Sequence, residues 1–69
     1  MNITSPMVGK LLSIDVKVGD KVKKNDVVAT IEAMKMQVKV FAPEDGEVAA
    51  VNAAPDTVVN PDTVIVVLK

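Results

Sequence analysis

Cysteine, histidine, arginine, tryptophan and tyrosine are all absent from this 69-residue chain, and Phe41 is its only aromatic residue. Without cysteine no disulfide can staple the fold, and without histidine as well, a thiolate or imidazole metal site is excluded. Nucleic-acid binding is equally unsupported: there is no arginine to fork onto phosphate and no aromatic platform for bases. No apolar run approaches the roughly 20 residues that cross a bilayer, so direct membrane insertion is not expected. Met1-Asn2-Ile3-Thr4 leads straight into a strand-like segment, without the basic and apolar regions of a signal peptide. The expectation is a soluble, cytoplasmic protein.

What remains is aliphatic. The composition is 49% hydrophobic, dominated by Val, Ile, Leu, Ala and Met. A single domain over residues 1–69 is expected, and a chain so short buries only about 60% of the surface that its unfolded form exposes. Stability must come from packing alone. Branched aliphatics suit a pleated surface, where side chains stiff at Cβ pack on their neighbours. Helix is poorly supported, because Pro6, Pro43, Pro55 and Pro61 leave no long window free of turn signals. The formal charge is −1, with lysines and carboxylates interleaved. Lys17, Lys21, Lys23 and Lys24 alternate with Asp15, Asp20 and Asp26, which favours a solvated face over a docking patch for an acidic partner.

The chain echoes itself. Ser5-Pro6-Met7-Val8-Gly9 is answered by Ala42-Pro43-Glu44-Asp45-Gly46, and Gly19 to Val27 is answered by Pro55 to Thr63, with one residue more between the blocks in the first half. This predicts an internal duplication, with halves at about residues 4–34 and 36–69 packed face to face on one core. Candidate strands are Lys10–Val16, Asp26–Ile31, Gln37–Phe41, Glu47–Val51 and Thr63–Leu68, the last apolar on both faces and so interior. Asp20 and Asp56 are expected to start tight turns, and Asn25 and Asn60 to sit where a left-handed residue is needed. Recurrence of Asp20, Asp26, Asp56 and Asp62 at these turns favours capping of the backbone over metal binding.

At the centre stands Glu32-Ala33-Met34-Lys35-Met36, between two β-prone runs, which places Lys35 at a hairpin tip. Each neighbour has a plain reading. Met34 and Met36 are i and i+2, and in a regular strand they share a face with Val38 and Val40 as core residues. Glu32 reads as a solvated strand-end charge, and Ala33 as small because the hairpin is tight.

Together, the five residues and their setting resemble the attachment motif of the biotin carboxyl carrier, or biotin/lipoyl attachment, family. The resemblance runs from about Ser5 to Leu68. It implies an all-β flattened barrel, or barrel sandwich, of two quasi-symmetric halves of short antiparallel strands, with the attachment lysine at a central hairpin tip. It also implies that Lys35 carries covalent biotin, and that Glu32, Ala33, Met34 and Met36 form the recognition motif. The partners implied are a biotin protein ligase and the biotin carboxylase and carboxyltransferase or decarboxylase components of a biotin-dependent enzyme. The domain itself is then a non-catalytic carrier. An ordinary lysine amine, with a pKa of about 10.4, is protonated and a poor nucleophile in neutral water, so activation falls to the ligase.

Two other readings stand beside this one: a lipoyl carrier of a 2-oxo acid dehydrogenase, and an unmodified structural β-module. Lipoyl domains typically have Asp before the lysine and Ala after it, where this chain has Met34 and Met36. The chain departs from the family pattern at Asn25, usually Gly, at Pro55-Asp56, usually Gly-Asp, and at Gln37, usually Glu. Asn accepts αL, and Pro suits a turn position with φ near −65°. Val8 to Asp26 leaves no room for the protruding loop of many bacterial acetyl-CoA carboxylase carriers, which leans toward a pyruvate, propionyl or methylmalonyl system.

Overall fold

The computed structural model describes residues 1–69, and every regular element in it is a strand. In chain order these are β1 (Asn2–Thr4), β2 (Gly9–Ile14), β3 (Lys21–Val22), β4 (Val27–Ala33), β5 (Met36–Phe41), β6 (Gly46–Val51), β7 (Val58–Val59) and β8 (Val64–Leu68). All pairings are antiparallel, in two four-stranded sheets ordered β1-β8-β6-β3 and β5-β4-β2-β7. This is the expected all-β sandwich of short antiparallel strands, with one refinement: the sheets are not closed into a barrel. Closure would need ladder bonds between the edge strands of opposite sheets, and the pairing pattern has none.

The strand order interlocks the two sides of Lys35. In each sheet the two inner strands come from one side of Lys35, and both edge strands come from the other side. Neither side can complete a sheet alone. The halves do not simply stack; they exchange edges. Between the sheets lie thirteen buried apolar residues, with Leu11, Val28, Ile31, Val48, Ile65 and Val66 fully enclosed. As expected, β8 is an interior strand, and both β4 and β8 are buried over consecutive residues, Val28 to Ile31 in one and Ile65 and Val66 in the other, with Val28, Ile31, Ile65 and Val66 in the shared core. Packing of such side chains on a pleated face is what β-branched residues do best.

Structural equivalents recur at a spacing of 37 positions, the distance from Leu11 to Val48. Ile3 and Val40, Ser5 and Ala42, Val22 and Val59, Val28 and Ile65, Ala29 and Val66, and Ile31 and Leu68 are further buried pairs with this spacing. Even the register irregularity of β2 between Leu11 and Ser13 recurs in β6 between Val48 and Ala50. The spacing holds through the turns, so the extra residue read into the first half is not there. Gly19 matches Asp56, not Pro55.

That shift corrects the turn assignments. Asp20 ends its turn rather than starting it: its N–H donates to the Lys17 carbonyl at 3.0 Å, and its carboxylate accepts the Lys17 N–H at 2.9 Å. Asp56 occupies the left-handed third position, with φ of 71°, where Gly19 has 94°. Pro55 fills the position before it, where a fixed φ is acceptable. Asn25 is left-handed as expected, at φ 74°, whereas Asn60 is not. Asn60 opens its turn instead, accepting the Asp62 N–H on its side-chain oxygen at 2.8 Å. Capping is the role of Asp20 and of Asp26, which accepts the Lys23 N–H at 2.9 Å. Asp56 pairs with Lys10 across an exposed 3.7 Å contact.

Candidate functional site

β4 and β5 run in unbroken register from Thr30–Lys39 to Ala33–Met36, which leaves Met34 and Lys35 as a two-residue hairpin loop. Both have positive φ, 53° and 65°. Two-residue hairpins favour turns with φ > 0 at both central residues because their twist matches that of the strands, and such turns usually use Asn-Gly. Here two residues with full side chains take that conformation. A left-handed residue with a Cβ costs about 1–2 kcal/mol. Strain of this kind persists where surrounding structure holds it and gathers at functional sites.

The consequence is geometric. Lys35 is exposed, and its amine enters no ion pair and no hydrogen bond. Met34 is 92% exposed and Met36 is 68% exposed. This exposure sets aside the plain alternative of the two methionines as core residues. Met36, Val38 and Val40 do share one face of β5, but burial declines along it from Val40 through half-buried Val38 to Met36. Exposed thioethers beside an amine present a soft, adaptable apolar surface. Glu32 is exposed near the end of β4, directly opposite Gln37, in keeping with a solvated charge. Ala33 is buried at 6%, as a tight hairpin base requires.

The structure also brings in residues that the sequence reading did not single out. Continuing the Lys10–Glu32 register places Gly9 beside Ala33 and Val8 at the level of Met34. Met7 and Val8 are exposed, 39% and 63%. Their loop is tied by buried Ser5, whose hydroxyl donates to the Met7 carbonyl. The Pro-x-x-Gly echo marked this segment as a turn but gave no sign that it borders Lys35. No cavity opens beside the tip, and no cluster of carboxylates gathers elsewhere to hold a metal. What the site offers is one free amine on a short, apolar-flanked projection.

The fold is that of a carrier-type domain, with an exposed hairpin at one end. The chain belongs to the biotin/lipoyl family: the family model described as "Biotin-requiring enzyme" matches residues 1–68. It is similar to the biotin/lipoyl attachment protein of Bacillus subtilis, 34% identical over all of this chain and 94% of that one. It is also similar to the gamma subunit of glutaconyl-CoA decarboxylase from Acidaminococcus fermentans, 54% identical over 54% of this chain and 26% of that subunit. Among solved structures, the urea carboxylase of Kluyveromyces lactis superimposes with a TM-score of 0.92 at 28% identity, covering all of this chain and 6% of the carboxylase. The chain thus spans only a small part of these carboxylase and decarboxylase relatives. No helix is long and apolar enough to cross a membrane.

Proposed function

We propose that the chain is a biotin carboxyl carrier domain and that Lys35 is its single attachment residue. The observation that carries this reading is the exposed, unpaired Lys35 amine on a left-handed two-residue turn between exposed Met34 and Met36. In the attachment step the ε-nitrogen, having lost a proton, attacks the carbonyl carbon of an activated carboxyl group. An amide bond forms, and the activating group departs. The residues fit a covalently held biotin: a bare amine provides the bond, Met34, Met36 and Glu32 provide a surface for a biotin protein ligase to read, and buried Ala33 completes the motif as the small residue at the hairpin base. Once bound, biotin supplies the site at which a carboxyl group is carried.

The chain's own contribution is position. Seven other lysines share the same chemistry, so selection among them must rest on shape. A carboxyl group on this arm reaches a biotin carboxylase and a carboxyltransferase or decarboxylase in turn, and tethering holds it at an effective concentration of the millimolar order. The domain is then a cytoplasmic, non-catalytic part of a larger enzyme, residues 1–69 forming one unit with halves at about 4–34 and 36–69.

The discriminating experiment offers a biotin protein ligase and a lipoate ligase to the protein in parallel, each with ATP and its acid. Biotin incorporation that disappears in Lys35→Arg supports the proposal, because arginine keeps the charge and removes the nucleophile. Faster lipoate incorporation, or biotin incorporation that survives in Lys35→Arg, contradicts it.

A further inference from the structure

Gly9 opens β2 directly beneath the tip, and the backbone there is closer than any side chain allows. A Cβ built on Gly9 meets the Glu32 carbonyl oxygen at 2.6 Å, its carbon at 3.2 Å and the Ala33 Cβ at 3.3 Å. Its φ lies outside the left-handed region, so the requirement for glycine comes from this approach and not from dihedral freedom. The matching residue 37 positions on, Gly46, differs: a Cβ there meets the Cβ and Cδ1 of Leu68, both at 3.3 Å, and a backbone oxygen at 3.6 Å. A shift of a few tenths of an ångström relieves such contacts; at 2.6 Å the Glu32 carbonyl has to move further, and it moves only with its strand. Glu32 and Ala33 are the last two residues of β4, so whatever displaces them displaces the Met34-Lys35 turn.

We propose that Gly9 is a positioning residue for attachment at Lys35. By letting β2 close against Glu32 and Ala33, it fixes the base of the hairpin and keeps Met34 and Lys35 in their left-handed conformation, at a defined height above the sandwich. This rests on the attachment reading of Lys35. The unfavourable turn dihedrals need surroundings that hold them, and the close approach of Gly9 to Glu32 and Ala33 lies at the base of the hairpin that carries them. A misplacement of about 1 Å can cost on the order of 100-fold in rate, so a methyl group at position 9 is enough to be read kinetically.

The test compares wild type, Gly9→Ala and Gly46→Ala as full chains, at a temperature where circular dichroism shows each folded. Two readouts are taken: kcat/KM for labelling by biotin protein ligase with ATP and biotin, and the strong intraresidue amide–Hα NOEs that positive φ produces at Met34 and Lys35. The expected result is a fall of about tenfold or more in kcat/KM for Gly9→Ala with weakened NOEs at the turn, and values near wild type for Gly46→Ala. Unchanged labelling and NOEs in folded Gly9→Ala overturn the proposal while leaving Lys35 as attachment residue. Wild type that accepts no biotin overturns the attachment reading instead, and the NOE comparison still decides whether Gly9 holds the turn. If Gly9→Ala does not fold, Ala33→Val presses on the same contact from β4; turn NOEs unaltered in that variant overturn the proposal.

Discussion

The two ends of the sandwich share one backbone plan and differ in almost everything that faces solvent. At one end, Met7 and Val8 border a hairpin carrying Met34, Lys35 and Met36; at the other, the equivalent loop carries Glu44 and Asp45. Asp45 is occupied in structure, accepting the Lys24 N–H at 2.8 Å. Where the first end has Ile31 and Val38 leading into the turn, the second has Leu68 and Met1, which exchange two backbone bonds of 2.7 Å. The fold therefore builds two similar platforms, and only one carries a presented amine with an apolar surround. Site identity resides in a handful of surface residues and in one close backbone contact, not in the architecture.

The largest effects that break this comparison lie in the core below each end. Ile31 and Leu68 are equivalent, both buried, and replacing either with alanine removes methyl and methylene groups from the same kind of environment. Each change is expected to cost about 2–5 kcal/mol in urea unfolding. For a domain this small that is a large share of the total stability, about 0.05–0.15 kcal/mol per residue. The two should differ in a second readout. Ile31→Ala loosens the strand that carries the hairpin and slows biotin labelling of folded protein, whereas Leu68→Ala leaves labelling of the folded fraction near wild type.

A smaller pair exploits the turns. Gly19 and Asp56 hold the same left-handed position, one without a Cβ and one with it. Gly19→Ala should destabilise by about 1–2 kcal/mol, through the αL cost of a Cβ. Asp56→Gly should stabilise by about 0.5–1 kcal/mol, since the exposed pair with Lys10 that it gives up contributes only a few tenths. Differential scanning calorimetry reads both, at roughly 4–8 °C in Tm per kcal/mol for a domain of this size.

The smallest stability change comes from the tip. Met34→Gly relieves one left-handed residue and should raise stability by about 1 kcal/mol or less. Labelling should nevertheless slow, because the thioether that a ligase would contact is gone and the turn is free to flex. A variant that is more stable and a worse substrate separates presentation from folding; one that is equally well labelled shows that Met34 is not read.

Much of this was legible in the sequence, and the reasons for the rest are physical. The long strands announce themselves through runs of Val and Ile between turn residues, and Lys35 through its flanks. β3 and β7 are two residues each and leave no periodic signal. Asp20 and Asp56 are the same residue type, so side-chain identity aligns them, whereas backbone conformation aligns Asp56 with Gly19. The open edges of the sheets, and the edge exchange between halves, are properties of pairing that no local pattern encodes. In the sequence Gly9 is one more turn glycine, because its constraint is a carbonyl on another strand. The methionines were ambiguous for a related reason, since period two places Met36 on the core face but cannot show where the core ends.

The most direct test of the central claim counts modification across all eight lysines at once. The folded protein is incubated with biotin protein ligase, ATP and biotin, then digested and mapped by mass spectrometry. The account predicts one biotin per chain, on Lys35, with Lys10, Lys17, Lys21, Lys23, Lys24, Lys39 and Lys69 unmodified. Label spread among several of these lysines, or seated on one other than Lys35, would contradict it.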